Sequence, residues 1–272
     1  MRMQLEKFLV GSTITKVEVK NKTYALPIEN LVGAKITGVR RFAKVSSIDL
    51  SNGYSILTHV KLTGQYIYRG TNLKNPLKLS SKVVGGLGGS HTHVIFHLTP
   101  EGTLYYNDIR KFGWIRVLKT TDVEKEKFVV TLGPEPFKDL TFEYFSTLLS
   151  KSKRNIKVLL MDQTKIGGVG NIYANDALYL SRISPKRTAN TLSKEEQKTL
   201  YDAITTVLKS GLKYGGASEL AFVTPDGNEG EYQNHTLVYG HTGQICPNCK
   251  KNKIEKFFLG GRGTYWCKTC QK

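Results

Sequence analysis

The sequence predicts an α+β protein in three consecutive parts: an antiparallel β-sandwich or barrel, a helical region and a cysteine hairpin. Three observations predict it. Residues 12 to about 118 hold short apolar or alternating runs bounded by turn signals, without helical patterns between them. From about Thr121 the apolar spacing becomes that of helices. The 4 cysteines fall in two pairs near the end, Cys246-Pro-Asn-Cys249 and Cys267-Lys-Thr-Cys270.

Taken in order, MRMQLEKFLVG reads as a helix, with Met1, Leu5, Phe8 and Leu9 at helical spacing and Gly11 as its stop. It lacks the Ser, Thr, Asp or Asn that normally caps a first turn. Strands follow in TITKVEVK, KITGVRRFAKVSSIDL, YSILTHVKLTGQYIY, HTHVIFHL and TLYYNDIRKFGWIRVL, with Ser51-Asn52-Gly53 as one of the turns. GGLGGS, Gly85 to Ser90, is expected to be a mobile connection, since no helix follows to make it a phosphate loop. Helices are expected in FEYFSTLLSKS, IKVLLMDQ, NIYANDALYLSRI and KEEQKTLYDAITTVLKSGLKYG. Ser193 and Glu196 form a capping-box pair before the last of them. Residues 217–240 read as polar loop. The expected domains are 1–120, 121–235 and 236–272.

At 272 residues and 39% hydrophobic, the chain can bury a sizeable core. Lys plus Arg outnumber Asp plus Glu by 40 to 22, a formal charge of +18. Such an excess repels itself and is most simply kept for an anionic partner. Nucleic acid is favoured over a membrane, because no apolar run approaches ~20 residues and no signal-peptide pattern is present. A cytoplasmic, nucleoid-associated monomer is the expectation. The two C-x-x-C pairs are candidate ligands of one structural zinc. Each tight turn aims two thiolates at one ion, and KIEKFFLGGRGTYW between them reads as two strands around a glycine turn. Four thiolates leave no open position for water, so the metal is a staple.

Two further stretches carry chemistry. Between Cys246 and Lys272, 7 basic residues face Glu255 alone, and Arg262 sits in Gly-Gly-Arg-Gly, where a guanidinium can approach a phosphate closely. Lys165 to Tyr173 places glycines before a helix, and Asn171 can cap it or donate to phosphate. As a nucleotide fingerprint this run fails, since no strand precedes it.

RRFAK (40–44), HVKLTG (59–64), NDIRKFG (107–113), TLGPEPF (131–137), LLMDQTKIGGVGNIYANDAL (159–178) and the terminal CPNC…GRGTYWCKTCQK occur in that order. Together they resemble the formamidopyrimidine-DNA glycosylase family of base-excision repair enzymes across essentially the whole chain. The resemblance implies an N-terminal β-sandwich, a helix–two-turn–helix domain and a zinc finger. It also implies a partner, double-stranded DNA with oxidised bases or abasic sites. The implied reaction is removal of an oxidised purine such as 8-oxoguanine or formamidopyrimidine, then strand cleavage by β/δ-elimination. A stacked base cannot be attacked, so the enzyme flips it out and fills the gap.

Residue by residue, the resemblance implies that Lys44 contacts the lesion phosphate and assists elimination. It gives Arg262 a phosphate near the lesion and the second elimination, and Asn171 a further phosphate. His91, Lys111 and Lys153 match DNA contacts. Arg110 and Phe112 match the gap-filling wedge, and Leu62 stands where the family has methionine. Ile109-Arg110-Lys111 replaces Pro-Arg-Arg, and Asp176 replaces a glutamate. Gly215 to Tyr232 lies where the family closes a loop over the flipped base. Family members begin with a proline, whose freed amine attacks the sugar carbon as a Schiff-base nucleophile, and a glutamate that handles protons. Arg2 to Gly11 match the later part of that first helix, and the ~9 family residues before it have no counterpart here, which fits the missing cap. The chain as written is therefore expected to bind DNA without normal excision, with little adduct on borohydride trapping. Two other readings stand beside this one. A catalytically dead damaged-DNA binder would also keep Lys44 and Arg262. An unrelated zinc-ribbon transcription-type protein leaves the central run unexplained.

Overall fold

The alternation read in the N-terminal segments builds two antiparallel sheets. The computed structural model describes residues 1–73, 79–219 and 221–272. Helix α1 (Arg2–Leu9) precedes β1 (Thr13–Val19), β2 (Ile36–Phe42), β3 (Val45–Leu50), β4 (Tyr54–His59), β5 (Gly64–Gly70), β6 (Thr92–Thr99), β7 (Gly102–Asp108) and β8 (Trp114–Lys119). One four-stranded sheet runs β1-β6-β7-β5 and the other β2-β3-β4-β8, so this is a sandwich and not a closed barrel. Every second residue of a strand faces the same side. Accordingly Val94, Phe96 and Leu98 of one sheet share a core with Ile48, Leu50 and Ile56 of the other. Leu5, Phe8 and Leu9 of α1 join that core, and Phe8 stacks on Tyr68 with ring centroids 5.3 Å apart. No side chain caps the start of α1.

The GGLGGS connection is folded, contrary to the expectation of a mobile linker. Gly89 N–H donates to the Gly85 carbonyl at 2.8 Å, and the Gly86 and Gly88 carbonyls accept from Asn107 and Lys20 side chains at 3.1 and 2.6 Å. Glycine spacing signals conformational freedom, whereas these tertiary hydrogen bonds depend on residues distant in sequence.

After the short helix α2 (Lys127–Val130) come α3 (Phe142–Lys151), α4 (Ile156–Leu160), α5 (Asn171–Leu180) and α6 (Lys194–Lys213). Side-chain caps start three of them. The Thr141 hydroxyl caps α3, Asn155 caps α4, and Ser193 with Glu196 forms the expected capping box on α6. Between α4 and α5 the chain makes two turns, held by Gln163, whose side chain accepts from Gly168 N–H and donates to the Val169 carbonyl, both at 2.9 Å. Gly211 lets α5 and α6 close up, because a Cβ there would stand 2.5 Å from the Tyr173 ring. The final hairpin is β9 (Glu255–Leu259) paired with β10 (Arg262–Trp266). Gly260 and Gly261 turn it with φ of 56° and 71°, the left-handed pair that a two-residue hairpin requires.

The chain divides into two compact units, Met1–Val130 with Ala217–Gly230, and Thr131–Gly216 with Glu231–Lys272. This division is not the linear one expected from composition. The stretch Ala217–Gly230 belongs to the sandwich unit, and within it Pro225 and Asp226 lie against β5, the edge strand of its sheet: Tyr68 N–H donates to the Pro225 carbonyl at 2.6 Å and the Arg69 guanidinium to the Asp226 carbonyl at 2.8 Å. The cysteine hairpin shares a unit with the helices because Asp176 on α5 fastens the chain leading to it. That carboxylate accepts from Val238 N–H at 3.0 Å, Tyr239 N–H at 3.1 Å and the Tyr232 hydroxyl at 2.9 Å. Among the described residues, no helix is long and apolar enough to cross a membrane.

Candidate functional site

In the sandwich unit, two loops cross between the sheets at one end. Residues 60–63 join β4 to β5, and residues 109–113 join β7 to β8. The loops are neighbours because β4 pairs with β8, His59 opposite Trp114, and β5 pairs with β7, Gly64 opposite Asp108. Each loop contains one lysine in the left-handed region, Lys61 at φ 53° and Lys111 at φ 54°. Between them the loops expose Leu62 (48%), Ile109 (42%) and Phe112 (59%), and the Arg110 guanidinium lies 4.6 Å from the Phe112 ring centroid. Exposed apolar side chains gathered beside a cation on two adjacent loops have no packing partner of their own among the described residues, so the cluster reads as a contact surface. Gly113 closes the second loop. A Cβ there would stand 2.9 Å from the Asp108 carboxylate and 3.0 Å from the His59 carbonyl.

Lys44 is exposed at the turn between β2 and β3, next to Ala43 at φ 49°. Its charge reaches His59 at the end of β4. Burial first, then the Lys61 and Lys44 charges, push the His59 imidazole down to about 4. The ring is therefore neutral at pH 7. Its Nδ1 accepts Lys61 N–H at 3.0 Å, which leaves the proton on Nε2. His91 is half-buried just before β6, and its carbonyl accepts Asp108 N–H at 2.9 Å. The structure thus brings Leu62, His91, Arg110, Lys111 and Phe112 to one end of the sandwich.

In the helical unit, Asn171 opens α5 and its Nδ2 donates to the Gly263 carbonyl at 3.2 Å. Arg262 begins β10 at the tip of the hairpin and is exposed. Lys153 is exposed between α3 and α4. The four cysteine sulfurs lie within 4.8 Å of one another, with Cys246 and Cys270 at 3.7 Å, and Cys249 and Cys267 at 3.7 Å. Tetrahedral metal–sulfur bonds of about 2.3 Å put sulfurs ~3.8 Å apart, so the cluster fits one ion. The Tyr179 hydroxyl lies 3.1 Å from Cys246 Sγ, and Asn248 Nδ2 donates to Cys270 Sγ at 3.2 Å, the outer contacts that steady thiolate ligands.

Comparison with known proteins decides what this arrangement belongs to. Residues 1–115 match the formamidopyrimidine-DNA glycosylase N-terminal domain and residues 132–222 its H2TH domain. The chain belongs to the formamidopyrimidine-DNA glycosylase family. It is 37% identical over 277 residues to the formamidopyrimidine-DNA glycosylase of Rickettsia conorii, covering 100% of this chain and 96% of that protein. With the enzyme of Lactiplantibacillus plantarum the identity is 36%, covering 98% and 94%. The solved structure of Lactococcus lactis Fpg with DNA containing an abasic site superimposes with a TM-score of 0.87 at 30% identity, covering 100% of this chain and 96% of that one.

In this glycosylase-family chain the structure adds residues to those that the motifs single out. Asp108 lies in the quoted NDIRKFG segment, His59 in HVKLTG and Lys157 just before LLMDQ. Lys157 is 0% exposed, and its Nζ donates to the Gly263 carbonyl at 2.8 Å and the Thr264 hydroxyl at 2.7 Å. Burial, and next the Arg262 charge, lower its ammonium to about 7. A lysine among Ile156, Leu159 and Leu160 was the available signal, since a charge inside an apolar run needs a partner. Asp176, where the family carries glutamate, holds the approach to the cysteine hairpin, and burial pushes its carboxyl up.

Proposed function

We propose that this protein acts in base-excision repair, on duplex DNA that contains an oxidised purine or an abasic site. The observation that carries this reading is the pair of inter-sheet loops that expose Leu62, Arg110 and Phe112 side by side. Apolar side chains inserted between base steps unstack a duplex, and an arginine beside them meets the base left without a partner. The Lactococcus lactis structures that resemble this chain were solved with DNA containing an abasic site and a Fapy-dG. The family reaction, to which this reading assigns the protein, releases an oxidised base and cleaves the strand at the resulting abasic site.

Lys44 and Arg262 are assigned the phosphates at the lesion and the elimination steps. Both are exposed cations at hairpin turns, Arg262 beside two glycines that let backbone come close. Asn171, His91, Lys111 and Lys153 are assigned further phosphate contacts. Cys246, Cys249, Cys267 and Cys270 are assigned one structural zinc, which would hold the hairpin that carries Arg262. The net charge of +18 supplies the nonspecific attraction to DNA.

Fluorescence anisotropy with a duplex containing a tetrahydrofuran abasic analogue tests the reading. Tight binding that weakens steeply with salt, and much weaker binding to the intact duplex, is the expected result. Equal affinity for the two duplexes, or a flat salt profile, refutes it.

A further inference from the structure

Asp108 is 0% exposed at the end of β7, beneath the loops just described. Its carboxylate accepts three hydrogen bonds: from the Thr63 hydroxyl at 2.5 Å, from Gly113 N–H at 2.8 Å and from the Tyr24 hydroxyl at 3.2 Å. Its own backbone is bound as well. Asp108 N–H donates to the His91 carbonyl at 2.9 Å, and its carbonyl accepts from His93 Nε2 at 2.7 Å. Thr63 turns the other way too, since its hydroxyl accepts Arg110 N–H at 3.2 Å. One buried carboxylate is thus tied directly to the end of the loop that carries Leu62 and to the end of the loop that carries Arg110 and Phe112. Its backbone N–H reaches His91.

We infer that Asp108 is the positioning residue of the gap-filling loops, locking both into one insertion unit through Thr63 and Gly113. This rests on the functional reading above. The physical need is plain. Separating stacked bases is costly, and side chains on independently moving loops cannot supply that cost without first being ordered. Gly113 N–H can only donate, and the Thr63 hydroxyl, which accepts Arg110 N–H, gives its proton to the carboxylate, so the two oxygens of Asp108 serve both loops at once. An asparagine of the same size can keep the Gly113 bond only by turning its N–H₂ toward Thr63, which leaves the Thr63 proton without its acceptor.

The test uses the full chain and a duplex with 2-aminopurine beside 8-oxoguanine, in which insertion raises the fluorescence as stacking is lost. A second duplex carries the same lesion opposite a missing nucleotide, where there is no opposing base to prop apart. Asp108→Asn and Thr63→Val are each expected to abolish the fluorescence rise and to weaken binding to the first duplex by about tenfold. Binding to the second stays within about twofold of the parent, and the double variant is no worse than either single one. Tyr24→Phe, which keeps both loop bonds, is expected to insert like the parent. Unchanged insertion in Asp108→Asn, additive losses, equal losses on both duplexes or failure of Tyr24→Phe to insert would each overturn the inference. If Asp108→Asn does not fold, Thr63→Val carries the comparison alone. A parent chain that gives no fluorescence rise removes the functional reading itself, whereas failure in the variants alone removes only the role of Asp108.

Discussion

The Lys157 ammonium lies 2.8 Å from the carbonyl of Gly263, the residue that follows Arg262. It therefore fastens the hairpin tip to the start of α4, and Asn171 adds a second donor to the same carbonyl. Lys157→Met keeps the aliphatic length and removes the donor, leaving buried acceptors poorly satisfied. A loss of about 1–3 kcal/mol in stability of the helical unit is expected, with weaker DNA binding because Arg262 is no longer held. Chemical denaturation and anisotropy read the two effects.

The same lysine predicts a pH dependence. Its folded-state ammonium titrates near about 7, well below the ordinary 10.5. The unfolded chain thus binds more protons between those values, and stability rises with pH across that window. Its contribution is present above 10.5 and lost as pH falls through 7. Denaturation of the parent and of Lys157→Met at pH 7 and pH 9 should show the rise in the parent and a flatter response in the variant.

His59 gives the sandwich unit an analogous window at acid pH. Its imidazole is lowered from 6.5 to about 4, so its contribution is present above 6.5 and is lost as pH falls through 4. His59→Gln should flatten the fall in melting temperature between these limits. An equally steep fall in the variant would place the acid sensitivity elsewhere.

Removal of metal should act on one unit. The chain has 2 tryptophans, Trp114 on β8 of the sandwich and Trp266 on β10 beside Cys267. Chelation, or Cys246→Ser, is expected to free the hairpin, change the Trp266 emission and abolish DNA binding, while a Trp266→Phe form keeps its Trp114 signal. A loss of the Trp114 signal as well would show that the sandwich depends on the ion.

Phe112→Ala removes the most exposed of the apolar loop side chains at little expected cost to stability, since the ring is 59% exposed. A ring stacked on bases contributes about 1–3 kcal/mol, so affinity for lesion duplex should fall about tenfold or more. Thermal unfolding and anisotropy on one preparation separate the two quantities.

Much of this architecture is legible in the chain. The period-2 runs become β1 to β8, Ser193 with Glu196 caps α6, and the cysteine spacing gives a hairpin whose sulfurs converge. These features are local, which is why sequence carries them. Asp108 and Lys157 were not legible in their roles, because what a buried charge touches depends on strands and helices far along the chain. Residues 217–240 read as polar loop, and nothing local shows that Pro225 within them pairs with the edge strand β5. The departures at Leu62 and Asp176 became interpretable only with exposure and partners known.

Recognition of a damaged base in duplex DNA is read by competition binding. A labelled duplex with one 8-oxoguanine opposite cytosine is competed with the same duplex carrying guanine, at near-physiological salt. The undamaged duplex is expected to compete at least about tenfold less well than the unlabelled lesion duplex. Equal competition by the two would contradict it.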